Sequence, residues 1–387
     1  MEVVFLIGAI QAVFLSFLVF TKKNKMLADK ILSFWLLFTG THLFSHYLFS
    51  INSLTEYPLF NGISVFFPMM EGVLMFTYVR TITQKRQKLN LLHLLHVIPY
   101  VVFTAVILFV IYTADVVSKK DFLDNLYVNT PPFLEIMSIL NSLLGPIYIV
   151  ICLIILKKHQ RNVLRNFSYT EEIDLKWLRY VLIAMGTVWL VVILASIFSF
   201  NSGIISEKIA NDIIYFTVTI AIFFEGYFGI KQQVIYSPSN NNGPVVLPLN
   251  TEEKKSNKKK DTDRYVKSGL KKEKSEKYLQ SLLEYMKEDS PYIDGKLSLK
   301  QVAIKLDIST NYLSQVINEN LKKNFFDFVN EYRVNLIKQK MKDPDNSQYT
   351  LLALAYDCGF NSKSSFNVIF KKNTGLTPSE YLKSEKT

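Results

Sequence analysis

The positions of the hydrophobic residues divide this 387-residue chain into two parts. The first part contains seven apolar runs, and each is close to the roughly 20 residues that a helix needs to cross a bilayer. The runs span about 3–20, 31–51, 58–79, 91–113, 134–156, 178–200 and 209–230. Buried helices of a soluble all-α domain are the alternative. Runs of this length with scarcely a charged face favour seven transmembrane helices instead.

The last part of the chain has the 3.6-residue period of short amphipathic helices. A first helix carries an apolar stripe with one small residue and ends at Gly359, because glycine readily takes a positive φ. A turn at Asn361 and Ser362 leads into a second helix, and the small residue lets the two helices cross closely. The two apolar faces consist of Leu351, Leu354 and Ala355, and of Phe366, Ile369 and Phe370. This spacing predicts a helix-turn-helix unit, although a plain helical hairpin gives much the same spacing.

A second unit of the same kind precedes it within Leu299–Val316. Ala303 occupies the small position there, and Ser309 or Thr310 is a natural N-cap for the second helix of that unit. A connecting helix between the two units has one apolar face and must end before Pro344. That face is formed by Phe325, Phe328, Val329, Tyr332, Leu336 and Ile337.

Together the two units resemble the C-terminal DNA-binding domain of the AraC/XylS transcription regulators. The resemblance is carried by Ala355, Gly359, Phe360, Ser362, Ser365, Phe366, Phe370, Lys371, Lys372, Gly375 and Thr377–Tyr381. It covers about Ser275–Ser384 and implies two helix-turn-helix units on one long helix, which bind double-stranded DNA. Asp307 departs from the family at a turn position where Gly is usual. Asp tolerates a left-handed conformation at some cost, so the turn is expected to form. Leu382 stands where Arg is frequent, which removes one possible phosphate contact.

In such a domain the second helix of each unit enters a DNA major groove and presents its polar face to the bases. Asn and Gln suit adenine edges, whereas Lys suits guanine or a phosphate. The predicted base-contacting residues are Thr310, Asn311, Ser314, Gln315 and Asn318 in the first recognition helix, and Ser362, Lys363, Ser364, Asn367 and Lys371 in the second. The predicted phosphate contacts are Lys322, Lys323 and Lys372. For any single residue among these, a solvated helix face is the alternative.

The distribution of charge predicts how the first part is oriented in a membrane. Residues 1–230 hold 17 Lys/Arg and 14 Asp/Glu, whereas residues 231–387 hold 27 and 19. Within the first part, the odd-numbered loops contain Lys22, Lys23, Lys25, Lys30, Arg80, Lys85, Arg86, Lys88, Lys157, Lys158, Arg161, Arg165 and Lys176. The even-numbered loops contain Lys119, Lys120 and Lys208. Because cytoplasmic loops are enriched in Lys and Arg, the N-terminus is expected outside and the C-terminus in the cytoplasm.

Residues 231–274 are predicted to be a disordered basic linker between a membrane domain, residues 1–230, and a DNA-binding domain, residues 275–387. Pro238, Pro244 and Pro248 oppose regular structure, and Glu252–Lys274 is rich in lysine with almost no apolar residues. A solvated linker is the plain interpretation of these lysines. The alternative is a juxtamembrane segment that lies on anionic lipid.

Ionisable residues inside the predicted spans form a candidate intramembrane polar site, because burying them in hydrocarbon is costly unless they are paired or hydrated. They are His42, Glu71, His93, His96 and Glu225. Three interpretations stay open: polar links between helices, a ligand or signal site, and, least favoured, a metal or haem site built from His42 and His46. His42 and Glu71 have similar predicted depths, so they are able to pair if their helices are neighbours.

The sequence therefore predicts an all-α, membrane-tethered transcription regulator of the cytoplasmic (inner) membrane, with multiple spans and a cytoplasmic double helix-turn-helix domain. Its expected partners are double-stranded DNA, the lipid bilayer, an unknown signal ligand and a second copy in a homodimer. No enzymatic activity, cofactor or metal is expected, since the chain contains no phosphate-binding loop, nucleophile elbow or HExxH motif. The alternative is a membrane receptor or transporter-like protein whose tail docks a protein partner.

Overall fold

The computed structural model describes residues 1–23, 25–51, 63, 64, 66–84, 95–113, 132–171, 173–198, 204–231 and 272–385. These residues are helical, and the extended pairing among them is a single antiparallel bridge between Phe167 and Ser298. The predicted all-α class is therefore confirmed for the described part of the chain. The predicted linker lies almost wholly outside it, at residues 232–271.

The helices fall into two compact units. Unit 1 comprises the described residues of Met1–Lys157 and of 175–231, and unit 2 comprises Lys158–Asp174 with the described residues from Lys272 onward. The first seven helices are α1 (Glu2–Phe20), α2 (Leu27–Ser50), α3 (Phe67–Thr83), α4 (Ile98–Thr113), α5 (Pro132–Asn166), α6 (Lys176–Ser196) and α7 (Glu207–Lys231). Each of the seven predicted apolar runs thus overlaps a helix.

Four of these helices contain a segment long and apolar enough to cross a membrane, and they are α1, α5, α6 and α7. The other three differ for physical reasons. Helix α2 has 24 residues but carries polar side chains such as Thr39, His42 and His46, whereas α3 and α4 have 17 and 16 residues. Seven membrane crossings therefore remain a prediction.

Unit 1 leaves large apolar side chains exposed along its helices, as a surface in contact with lipid would. On α1, Val3, Ile10 and Phe17 are 67%, 61% and 61% exposed. The opposite face of α1 is buried, with Phe5 and Ala12 fully covered. Helix α1 packs against both α2 and α7. Many large apolar side chains exposed along one helix face are unusual on soluble monomers.

Unit 2 contains the remaining helices. They are α8 (Lys272–Glu288), α9 (Leu299–Lys305), α10 (Thr310–Asn320), α11 (Phe325–Lys342), α12 (Leu351–Asp357), α13 (Lys363–Thr374) and α14 (Pro378–Ser384). Helix α11 ends at Lys342, two residues before Pro344, as proline geometry requires. The pairs α9–α10 and α12–α13 are the two predicted helix-turn-helix hairpins, and α11 is the connecting helix.

Two apolar cores lie in unit 2, one for each hairpin. The N-lobe core joins α8, α9 and α10 to the start of α11, and the C-lobe core joins the end of α11 to α12, α13 and α14. The small residues Ala303 and Ala355 are buried in the N-lobe and C-lobe cores respectively, where sequence spacing predicted them. Because α11 contributes to both cores, it holds the two hairpins on one rigid element.

Side-chain caps define where the helices of unit 2 begin. Every helix from α9 to α14 has an N-cap residue whose side chain accepts a hydrogen bond from a backbone N–H of the first turn, namely Ser298, Ser309, Asn324, Thr350, Ser362 and Thr377. Such caps contribute about 1 kcal/mol each. The N-cap of α10 is therefore Ser309, one of the two predicted residues.

The turns of the two hairpins need left-handed backbone. Asp307 has φ +53° in the first turn and Gly359 has φ +88° in the second. A Cβ on Gly359 would lie 2.5 Å from the carbonyl oxygen of Tyr292, so a side chain does not fit there. Asp307 adopts the conformation that the sequence analysis expected of it, which leaves the turn intact despite the missing glycine.

Candidate nucleic-acid interface

Helix α13 presents a polar face to solvent. Phe366, Ile369 and Phe370 anchor its other face in the C-lobe core. Four of the five predicted contact residues on this helix, Lys363, Ser364, Asn367 and Lys371, are exposed. The fifth, Ser362, is half-buried at the N-cap, where its hydroxyl accepts from the N–H of Ser365 at 3.1 Å. The exposed set combines two cations with an amide and a hydroxyl.

Helix α10 offers a weaker polar face. Asn311 is exposed, and Thr310, Ser314 and Asn318 are half-buried. The Asn318 amide donates to the Ser314 carbonyl at 2.7 Å. Gln315 is only 8% exposed, and its amide donates to both Glu319 carboxylate oxygens at 3.0 and 3.1 Å. Gln315 would have to leave this pairing to reach a base.

The three predicted phosphate-contacting lysines differ in their surroundings. Lys322 is exposed in a left-handed turn, with φ +54°. Lys323 forms an ion pair with Glu331. Lys372 is 61% exposed and pairs with Asp327 at 2.6 Å. Exposed ion pairs contribute about 0–1 kcal/mol, so a phosphate is able to compete for both paired lysines.

Val368 is a residue on α13 that the sequence analysis missed. Its side chain is 66% exposed. It follows Asn367 and lies one helical turn from Ser364 and Lys371, so it belongs to the polar face. An apolar side chain there is suited to the methyl group of thymine, which hydrogen-bonding residues do not recognise. The signal in the sequence was a valine outside the apolar stripe of the helix.

Arg333 is a second residue that the sequence analysis missed. It lies on α11 at 1% exposure, on the apolar face between Val329 and Ile337. Its guanidinium donates to the carbonyls of Tyr292 and Asp294 at 2.8 Å each, and to the Asn330 side-chain oxygen at 3.1 Å. The sequence did contain a signal for this burial, because Arg333 is a charged residue on an otherwise apolar helix face.

The remaining hydrogen bonds of Arg333 go to Ser168. Nη1 donates to the Ser168 carbonyl and Nη2 to the Ser168 hydroxyl, both at 2.8 Å. All five guanidinium N–H groups therefore have acceptors. Without Ser168, each buried donor left unsatisfied would cost about 1–3 kcal/mol. Burial lowers the Arg333 pKa to about 10, against the opposing effect of Glu171 and Asp294, so the group stays protonated at neutral pH.

The predicted intramembrane polar residues are divided in the structure. The Nδ1 atom of His42 lies 3.7 Å from Oε1 of Glu71, whose other oxygen accepts from Trp35 at 2.7 Å and Thr39 at 3.1 Å. The Nε2 atom of His42 lies 3.1 Å from the Tyr215 hydroxyl. These contacts join α2 to α3 and α7.

The other members of the predicted site have separate surroundings. His96 lies 2.9 Å from the Tyr148 hydroxyl, and Glu225 is 5% exposed on α7. His93 lies outside the described residues. His46 stacks on the Tyr215 ring at 3.6 Å between centroids, and the residues that the structure describes contain no group of three or more metal-ligating side chains.

Comparison with known proteins identifies the C-terminal region. Residues 302–384 match the family model described as a helix-turn-helix domain. These residues form a helix-turn-helix domain of the AraC type. The matched region begins inside α9 and ends with α14, so it contains α10, α11 and α13.

Two regulators of Escherichia coli (strain K12) are similar to this region. The Melibiose operon regulatory protein is 26% identical over 106 residues, which is 27% of this chain and 33% of the relative. The Uncharacterized HTH-type transcriptional regulator YijO is 33% identical over 94 residues, which is 23% of this chain and 32% of the relative. The chain thus spans about a third of the length of these relatives. No solved structure matches the chain.

Proposed function

We propose that this protein is a membrane-tethered transcription regulator that binds specific DNA sequences through α10 and α13. The observation that carries the proposal is the exposed polar face of α13 within a region that matches a helix-turn-helix domain. The similarity to two regulators supports the same function. The membrane anchor is supported by four helices able to cross a bilayer and by the exposed apolar surface of unit 1.

The length of the connecting helix suits two contacts on one face of DNA. Helix α11 has 18 residues and is therefore about 27 Å long at 1.5 Å per residue. Successive major-groove segments on one face of a duplex lie roughly 34 Å apart. Hairpins held at the two ends of such a helix are able to place α10 and α13 in adjacent segments.

The two recognition helices have different chemical roles in this proposal. The α10 sequence TNYLSQVINEN contains no lysine or arginine, so its contribution is neutral hydrogen bonding through Asn311, Ser314 and Asn318. Helix α13 supplies Lys363 and Lys371 for guanine or phosphate, and Asn367 for adenine. We therefore expect both helices to discriminate between bases. The lysines of α13 should supply more of the salt-dependent affinity than α10.

Signal reception is proposed for the buried polar cluster of unit 1. His42 and Glu71 are 7% and 8% exposed, and they join three helices through Trp35, Thr39 and Tyr215. Ionisable groups buried in a membrane domain often mark functional sites. A ligand that changes the His42–Glu71 contact would alter the packing of α2 against α3.

Binding of the detergent-solubilised full chain to fragments of its own upstream DNA tests the proposed function. We expect sequence-specific binding whose affinity falls steeply with salt, because lysine–phosphate contacts release counterions. Lys363→Ala and Asn367→Ala should change the preferred sequence, whereas Lys372→Ala should weaken all sequences alike.

Uniform weakening by all three variants would remove the base-contact assignment. Absence of DNA binding at low salt, with retention of a protein partner by the C-terminal region, would favour the alternative of a receptor with a protein-docking tail.

A further inference from the structure

Within unit 2, a segment from outside the helix-turn-helix domain packs against that domain. This segment, Phe167–Glu171, follows α5 directly and precedes α6. Phe167 pairs with Ser298 in an antiparallel bridge, and the Ser168 N–H donates to the Leu297 carbonyl at 3.1 Å. The segment thus docks as a short extended strand on the residues that begin α9.

The docked segment is buried as a core element would be. Phe167, Ser168 and Tyr169 are 1%, 0% and 6% exposed. The Ser168 carbonyl accepts from both Arg333 and the Asn330 amide, the latter at 3.0 Å. Arg333 and Asn330 are each 1% exposed. Arg333 and Asn330 are therefore buried hydrogen-bond donors on this surface. They bind the carbonyl and the hydroxyl of one serine, Ser168.

The end of the segment reaches the second recognition helix. The Glu171 carboxylate is held by two contacts: Oε2 accepts from the Thr170 N–H at 3.1 Å, and Oε1 accepts from the Ser362 hydroxyl at 3.1 Å. Ser362 is the N-cap of α13. Helix N-termini and the hydroxyls beside them are common phosphate ligands in DNA complexes, and they favour negative charge.

We propose that the surface formed by Leu297, Ser298, Asn330, Arg333 and Ser362 is a docking site for the chain's own segment Phe167–Glu171, and that docking of this segment and DNA binding exclude each other. The Glu171 carboxylate occupies the position of a DNA phosphate at the start of α13 and repels the phosphates nearby. This inference rests on the proposed DNA-binding function.

Chain continuity connects the docking site to the helices of unit 1. Residues 158–166 belong to α5, which continues without a break from Pro132. On the other side, the segment is followed by α6 from Lys176. A movement of α5 relative to α6 would therefore act on the segment directly, without passing through residues 232–271. The docked segment is the off-state of the regulator, and its release permits binding.

A reversible crosslink tests the exclusion. Residues directly opposite in an antiparallel pair have Cβ atoms about 4.5–5.5 Å apart, close to the separation that a disulfide needs. The double variant Phe167→Cys, Ser298→Cys would lock the segment when oxidised. The native Cys152 and Cys358 are fully buried and need not be removed.

We expect the oxidised full chain in detergent to bind its promoter fragment on the order of tenfold more weakly than the same sample after reduction, because locking removes the binding-competent population. The reduced sample is the control for folding. Equal or tighter binding by the oxidised sample would overturn the inference while preserving the proposed function. Failure of the wild-type chain, of both samples and of the release variant Glu171→Gln to bind DNA would overturn the proposed function itself.

A release variant tests the role of the carboxylate. Glu171→Gln keeps the shape of the side chain and removes its charge, so DNA binding by the full chain should tighten by about two- to fivefold. Glu284→Gln is the matched control, since Glu284 is exposed on α8 and outside the docking site. If the two substitutions change DNA affinity equally, the effect of Glu171 comes only from the net charge of the protein. That result would contradict the proposed competition with phosphate.

Discussion

At the scale of single residues, Val368 offers a test of base recognition that involves no charge. Its side chain is 66% exposed on α13. Val368→Ala removes two methyl groups, and if these contact a thymine methyl, affinity for the preferred site should fall by roughly 1 kcal/mol, or about fivefold. Competition binding with sites substituted one base pair at a time measures the change. The loss should be confined to one A·T position.

Ile304→Ala is the control for that experiment. Ile304 is 68% exposed, like Val368, but lies on α9, outside the recognition helices. Its removal should leave site preference unchanged. If both substitutions weaken binding by the same factor at all sites, Val368 does not recognise a base.

Cys358 gives a residue-scale test of the C-lobe core. The side chain is fully buried, and burial raises its thiol pKa to about 11, so the reactive thiolate is rare at neutral pH. In a Cys152→Ala background, a maleimide should label Cys358 at pH 7.5 only after denaturant unfolds unit 2. Rapid labelling of the folded chain would contradict the burial of α12 against α11 and α13.

Residue-level prediction from the sequence was most accurate where one local rule decides the structure. The left-handed Asp307 and the Ser309 cap follow from turn and capping chemistry within a few residues. Arg333 escaped prediction because its surroundings are set from elsewhere in the chain. Arg333 is satisfied by Ser168, which lies 165 residues away in the chain, and no periodicity within α11 specifies that contact.

At the scale of elements, the capping box of α14 predicts a pH dependence. The Thr377 N–H donates to the Glu380 carboxylate at 2.8 Å, and this hydrogen bond lowers the Glu380 pKa below its usual 4.5. A group with a depressed folded-state pKa stabilises the fold above its unfolded pKa, and the effect is lost as the pH falls through the folded pKa. Helix α14 should therefore open more readily below about pH 4.5.

Hydrogen exchange over residues 376–385 at pH 6 and pH 3.5, corrected for intrinsic exchange, measures this opening. Glu380→Gln is the matched variant, because glutamine also completes a capping box but does not titrate. Its protection should change less between the two pH values than that of the wild type. Identical changes in both proteins would show that other carboxylates, such as Glu385, dominate the pH effect.

Element boundaries have fewer local signals in the sequence of unit 1 than in that of unit 2. Within the described residues, α3 begins at Phe67 and α4 at Ile98, so Pro68 and Pro99 lie in first turns. The apolar runs 58–79 and 91–113 begin at residues that lie outside the described part of the chain. In unit 2, side-chain caps mark the start of each helix from α9 to α14, and left-handed residues lie in the turns after α9 and α12. Nearby residues therefore encode these boundaries.

At the scale of the whole molecule, the domain division predicted from composition differs from the division that the contacts in the structure produce. Residues 158–174 are polar and lie between two apolar runs, so composition assigned them to a membrane-domain loop. In the structure they belong to unit 2 together with the helix-turn-helix domain. Long-range contacts such as Ser168–Arg333 produce this difference, and they leave no periodic signal in either segment.

The orientation of the chain in the membrane is the last prediction, and it is independent of the DNA-binding assignment. Lys and Arg number thirteen in the odd-numbered loops and three in the even-numbered loops, which predicts a cytoplasmic position for Lys158–Asp174 and for the C-terminal region. A green fluorescent protein fused after Lys231 should fluoresce, and alkaline phosphatase fused there should be inactive. Fusions after Lys120 should give the reverse pair of results. Phosphatase activity after Lys231 would place the helix-turn-helix domain away from DNA and would contradict both the proposed function and the docked off-state, since each needs unit 2 in the cytoplasm.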